Sequence, residues 1–182
     1  DTSRVDADGL TQSRIQTLYQ PYYPGQGVPT GRDFTGWSAN AQLFWKIVPQ
    51  LELFLKGGRA VSIPDASELY MGQVRQGSNV VSNPFLQQTV VHQIDTGASW
   101  SAGGHRAELI FFYGKATNFI LPVKRDPDGS GPIVQARSTA NLNAIIWGVE
   151  CEGTVQLPAD LKLSAMLSYS EGENQTSNSP LA

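Results

Sequence analysis

Long runs in which apolar and polar side chains alternate one by one dominate this chain, and they leave little choice of backbone. The clearest pair spans residues 143–174, NAIIWGVECEGTVQLPADLKLSAMLSYSEGEN. In its first half Trp147, Val149, Cys151, Val155 and Leu157 share one side with Gly153, while Gly148, Glu150, Glu152, Thr154 and Gln156 take the other. In the second half Leu161, Leu163, Ala165, Leu167 and Tyr169 alternate with Lys162, Ser164, Met166, Ser168 and Ser170. Successive side chains of a strand point to opposite faces, so this period predicts two β-strands with one apolar face each, joined at PAD. Whether that face meets a protein core or lipid decides what the chain can be.

The same pattern recurs upstream. In 36–47 Trp37, Ala39, Ala41, Leu43, Trp45 and Ile47 oppose Ser38, Asn40, Gln42, Phe44 and Lys46. A turn at VPQ leads to 51–61, where Leu51, Leu53 and Leu55 oppose Glu52, Phe54 and Lys56. Residues 89–100 set Val90, His92, Ile94, Thr96, Ala98 and Trp100 against Val91, Gln93, Asp95, Gly97 and Ser99. After SAGGH, residues 106–121 place Leu109, Phe111 and Tyr113 on one face, although Ile110 and Phe112 blur the alternation. Six strands in three hairpins therefore occupy 36–174. Residues 1–35, 62–87 and 122–139 read as long loops punctuated by Gly, Pro and Asp, and 175–182 as the start of another.

Several observations separate lipid from core. Strands of roughly ten residues exceed the five or six usual in a globular sheet and match the nine to eleven that cross a bilayer at a tilt. Connections alternate short and long, the layout of an outer-membrane barrel with tight periplasmic turns and long outer loops. Trp37, Trp45, Trp100, Trp147 and Tyr169 sit near strand ends on the apolar face, as an interfacial girdle would. The opposite face carries Glu52, Lys56, Asp95, Glu108, Glu150, Glu152 and Lys162, as a water-filled lumen would. Charged residues are only 16%, against about a quarter in soluble domains. The alternative is a soluble antiparallel β-sandwich, a binding or adhesin-like module with one face packed. Because a membrane barrel closes with at least about eight strands, six make only part of a wall. Both ends of the sequence, Asp1 and SNSPLA, give the same expectation of a piece of something longer.

Four stretches then resemble TonB-dependent outer-membrane receptors. LELFLKGGRAVSIPDASELY, residues 51–70, is similar to the family's strand-and-loop pattern ending in SELY, with Gly58, Arg59, Pro64, Glu68, Leu69 and Tyr70 in place. NPFLQQTVVHQIDTGASW, residues 83–100, resembles its NPxL segment, with Gln87 and Gln88 where the family has Lys-Pro. GGHRAELIFFYGKATNFI and WGVECEGTVQLPADLKLSAMLSYSEGEN resemble its next hairpins. The resemblance implies an all-β, antiparallel up-and-down transmembrane β-barrel segment, about six strands from the later part of a 22-stranded barrel. It implies an outer-membrane receptor importing a scarce nutrient such as a ferric siderophore, and not an enzyme. Implied partners are outer-membrane lipid, the rest of the barrel, a plug domain, the TonB complex through that plug, and a small-molecule chelate. No plug, TonB box or terminal aromatic strand is visible in the 182 residues. Haem receptors of this class carry a His between motifs equivalent to VSIP (61–64) and NPFL (83–86); this chain has none there.

Single residues give candidates of lower specificity. Tyr22, Tyr23, Tyr70 and Arg75 lie in outer loops, where aromatic and guanidinium groups suit capture of an anionic or aromatic chelate and equally suit loop packing. Glu52, Lys56, Glu150 and Glu152 face the lumen or the plug. Glu150 and Glu152 share a strand face as an acid/base pair would, but no nucleophile accompanies them. Two His and one Cys, scattered, make no metal site, and no resident cofactor is expected. DPDGSG (126–131) lacks Ca²⁺-loop spacing and reads as a turn. A net charge of -3 gives no sign of nucleic-acid binding.

Overall fold

A computed structural model describes residues 2–7, 17–73, 79–127 and 135–181. Arg75 and most of DPDGSG lie outside the described residues. The contacts divide the chain into two units. One, here the wall, comprises Ser38–Ala60, Val91–Ala116 and Asn143–Ala182; the other, the loop body, comprises Asp1–Trp37, Val61–Val90 and Thr117–Leu142.

The wall holds the alternating segments. Strands β3 (Ala39–Val48) and β4 (Leu51–Ser62) form one hairpin, β7 (Thr89–Ala102) and β8 (His105–Arg125) the next, and β9 (Ala136–Gln156) and β10 (Lys162–Asn174) the third. With β11 (Ser179–Pro180) they are ordered β11-β10-β9-β8-β7-β4-β3, an up-and-down sheet in which chain neighbours are spatial neighbours. The turns follow from local chemistry. Gly103 and Gly104 both have positive φ, 58° and 83°, as a two-residue turn of the right twist requires. At PAD the left-handed positions fall on Ala159 and Asp160, and Leu157 N–H closes the turn on Leu161 C=O at 2.8 Å.

Pairing keeps the expected faces together. Leu167 stands opposite Cys151 and Tyr169 opposite Val149; Leu43 stands opposite Leu55 and Trp45 opposite Leu53. On the other face Gln42 meets Lys56 and Lys46 meets Glu52. The apolar face is bare: Leu167 is 77% exposed, Trp45 67% and Leu43 66%. In a sandwich such side chains would be covered by a second sheet; here Trp147 and Val155 have none over them and remain exposed.

The blurred alternation at Phe112 has a structural cause. A Cβ on Gly148 would collide with the Phe112 ring and with Tyr169 C=O, and one on Gly97 would lie 2.6 Å from Phe54 and run into Leu109 C=O. Each of these Phe rings therefore lies over a glycine of another strand, filling the hole its missing side chain leaves. Phe54 is buried for this reason, although it projects from the polar face.

The loops expected at 1–35 and 62–87 contain regular structure, which is a correction to the sequence reading. β1 (Thr2–Asp6) pairs antiparallel with β2 (Gly31–Thr35), with Val5 opposite Arg32. Helix α1 (Ala66–Tyr70) is followed by β5 (Gly72–Gln73) and β6 (Asn79–Val81), and β6 runs parallel to the start of β9. β8 and β9 also extend into the supposed 122–139 loop. These pieces are short and lack alternation, so no periodic signal marks them.

Candidate functional site

In the loop body Tyr22 and Tyr23, expected in an outer loop, belong to a packed core. Tyr19, Tyr22, Tyr23, Val28, Val81 and Ala136 are buried against one another. The Tyr23 hydroxyl donates to Ser82 C=O at 3.1 Å and lies 3.4 Å from Ser138 Oγ, while Asn79 Nδ2 donates to the Tyr22 hydroxyl at 3.0 Å. The Arg125 guanidinium sits 4.3 Å from the Tyr23 ring centre. Burial raises the Tyr23 pKa, and Ser138 and Arg125 pull it partly back. Burial, followed by Tyr23 and Tyr70, holds Tyr19 well above the ordinary tyrosine value.

A second cluster joins Phe34, Leu69, Tyr70 and Leu86. It explains the residues that carry the SELY and NPFL patterns. Asp65 caps α1: its carboxylate accepts from Glu68 N–H at 2.8 Å, and Glu68 reaches back to Asp65 N–H at 3.0 Å. The Ser67 hydroxyl and the Glu68 N–H hold the Asp65 pKa below the usual carboxylate value. Asn83 donates to Thr139 C=O at 3.1 Å and accepts from Phe85 N–H at 3.0 Å. Arg32 donates to Pro84 C=O and Leu86 C=O at 3.0 and 3.3 Å. Asn141, which sequence reasoning missed, ties Gln87 to Asn118 through hydrogen bonds of 2.7–3.0 Å. Nothing in a lone asparagine signals such a role; only the fold brings its partners together.

Tyr22, Tyr23 and Tyr70 are thus buried, at 8%, 3% and 5% exposure. The Tyr70 and Tyr19 hydroxyls are buried without a hydrogen-bond partner. Burial raises the Tyr70 pKa, against a pull from Arg32.

In the wall, a groove of about 400 Å³ opens on the polar side of β3, β4 and β7, lined by Asn40, Gln42, Lys56, Gln93 and Asp95 among others. Lys56 Nζ lies 4.4 Å from the Phe54 ring centre, and Gln93 donates to Asp95 at 2.7 Å. Glu52 stands opposite Lys46 on the same face. Glu150 and Glu152 stand opposite Ser168 and Met166 on β9 and β10, with β7 and β8 between them and β4. The four lumen candidates therefore share a polar face without converging on one point. Among the described residues no three His, Cys, Asp or Glu side chains are grouped to hold a metal ion. No described helix is long and apolar enough to cross a membrane.

A family model for the TonB dependent receptor-like β-barrel matches residues 1–182. The chain belongs to this family. Solved structures agree in fold. A copper transporter, OprC, superposes with a TM-score of 0.68 at 24% identity, over 86% of this chain and 24% of its own. The siderophore receptor PirA from Pseudomonas aeruginosa gives 0.64 at 20% identity, over 80% of this chain and 29% of its own. The Serratia marcescens hemophore receptor HasR, solved with its hemophore HasA and heme, gives 0.52 at 16% identity, over 92% and 28%. The chain thus spans between 24% and 29% of the length of these structures. A comparison with curated protein sequences gave no significant match. The barrel assignment replaces the soluble sandwich alternative.

Proposed function

We propose that this chain is a stretch of barrel wall, with its outer loops, from an outer-membrane receptor that imports a scarce nutrient such as a ferric siderophore. The bare apolar face carries this reading: Leu167, Trp45 and Leu43 are exposed in a family of membrane barrels, and lipid is the partner that makes their exposure favourable. The polar face, with Glu52, Lys56, Glu150 and Glu152, meets the water-filled lumen and the plug. Energy reaches it from the TonB complex through that plug.

The loop body shapes the substrate entrance. Tyr22, Tyr23 and Tyr70 act there by holding the loops in place, and Arg75 supplies charge for an anionic chelate. A siderophore is favoured over haem by the lack of His between VSIP and NPFL. The test is outer-membrane fractionation of the full-length protein, with uptake of iron from a panel of ferric siderophores by a strain lacking it. Uptake restored by the gene supports the reading. A protein found in the soluble fraction, or uptake of every siderophore unchanged by deletion, overturns it.

A further inference from the structure

The groove on β3, β4 and β7 is furnished for hydrogen bonding rather than for charge. The side-chain amides of Asn40, Gln42 and Gln93 line it, and all three residues are exposed. Among the described residues the Asn40 and Gln42 amides have no partner within the chain, so their donors and acceptors are available. Lys56 adds one cation and Asp95 one anion. Arg59 borders the groove as well, but it already has a partner. An ion entering here would be matched by one of Lys56 and Asp95 and opposed by the other. A group with no net charge that both donates and accepts hydrogen bonds meets no such conflict.

A glycine keeps the floor of the groove open. Gly58 stands opposite Asn40, and Lys56 opposite Gln42. A Cβ on Gly58 would lie 3.6 Å from both Ala39 C=O and the Asn40 Cβ, which is ordinary contact. Its φ is not positive, so the backbone does not demand glycine at this position. A larger side chain would therefore fit at 58 without strain, and it would fill the groove.

The groove lies toward the ends of β3 and β4 remote from the Pro49-Gln50 turn, while Lys46 and Glu52 lie close to that turn and outside it. In a barrel with short periplasmic turns those ends belong to the outer half of the lumen, the side from which an imported molecule arrives.

We propose that this groove is a subsite for the uncharged arm of the imported chelate, the amide- or hydroxyl-bearing scaffold that carries its metal-binding groups. Asn40, Gln42 and Gln93 exchange hydrogen bonds with that scaffold, and Gly58 leaves room for it. The inference rests on the reading of this chain as the wall of an importing receptor.

The test uses purified full-length receptor and tryptophan fluorescence titration. The probes are ferrichrome, coprogen and ferric enterobactin, each set against a scaffold-free iron complex of the same chelating group, with acetohydroxamate or with catechol. If wild type binds none of the three siderophores, the receptor reading fails and takes the subsite with it. A siderophore that binds should do so at least roughly tenfold more tightly than its scaffold-free complex, because a site built to hydrogen-bond a group discriminates against an analogue lacking it. Gly58→Leu should remove roughly tenfold of the siderophore's affinity and leave that of the scaffold-free complex unchanged, whereas a folding defect would lower both. Asn40→Leu with Gln93→Leu should act in the same way. Gly153→Leu, where a Cβ would lie 3.9 Å from Arg106 C=O on the apolar face, should change neither. Equal binding of a siderophore and its scaffold-free complex by wild type overturns the subsite alone and requires no variant to fold. So does an unchanged preference in Gly58→Leu. A Gly58→Leu receptor that keeps its preference but exposes the plug to protease would give the groove to the plug instead.

Discussion

The loop body and the wall are built from the same kinds of residue and treat them in opposite ways. In the loop body large apolar groups are hidden: Tyr19, Leu69, Val81 and Leu86 have no exposed surface. In the wall Leu43, Trp45, Leu163 and Leu167 are more than half exposed. The loop body is held by hydrogen bonds from side chains to backbone, such as Tyr23 to Ser82, Asn83 to Thr139 and Arg32 to Pro84. The wall is held chiefly by the ladder itself, with side chains filling local holes at Phe54 and Phe112 and adding scattered hydrogen bonds such as Thr96 to Phe54 C=O and Gln93 to Asp95. A hydrophobic residue is thus no guide to burial in protein here. Its periodicity is: aperiodic apolar residues are covered by the chain, and strictly alternating ones are left for another medium.

The largest test of that contrast is a charge in the middle of the bare face. Leu167→Arg should lower the folding free energy of the full-length protein in lipid vesicles by about 2–4 kcal/mol, measured by denaturant titration. A side chain 77% exposed to water would tolerate the change at almost no cost, so a near-zero effect would break the comparison. Next in size is Gly97→Val, which forces a side chain into Leu109 C=O and the Phe54 ring. Overpacking against backbone should cost about 1–3 kcal/mol in the same titration.

A pair of hydroxyl deletions sharpens the loop-body side. Tyr23→Phe leaves a buried partnership with Ser82 C=O broken and should cost about 1–2 kcal/mol. Tyr70→Phe removes a buried hydroxyl that has no partner and should cost nothing or stabilise slightly. Hydrogen exchange at Ser82 and Phe85 reads both.

The smallest effect is at the α1 cap. Asp65→Ala should cost about 1 kcal/mol of local stability. Because the folded-state pKa of Asp65 is depressed, its contribution is present above the ordinary carboxylate range near pH 4 and is lost as pH falls through the depressed value. Tyr19 acts in the other direction. Its raised pKa means the unfolded chain ionises first, so the loop body should weaken as pH rises past about 10, seen as tyrosinate absorbance on opening.

The wall was legible in the sequence because its rule is simple: period 2, about ten residues, tight turns. Trp147, Val149 and Val155 lie on the face that the alternation gives them, and Glu150 and Glu152 on the other. Phe54 and Phe112 look out of place in that rule because the reason for them, a glycine on another strand, is distant in sequence. The loop body was not legible for a related reason. β1 and β2 are five residues each and join across a gap of more than twenty, and β6 finds its partner at Ala136. For Tyr22 and Tyr23 the sequence left ligand capture and loop packing equally open, because neither Ser82, Asn79 nor Arg125 is near them in the chain.

The rings of Phe54 and Phe112 have one more effect. A strand face turned toward water should let solvent compete for its amide hydrogen bonds. At Gly97 and Gly148 there is no side chain to shield the backbone, yet an aromatic ring covers each site. These two points are dry islands on a wet surface. Their amides should be among the slowest of that face to take up deuterium, marking where the wall resists being unzipped.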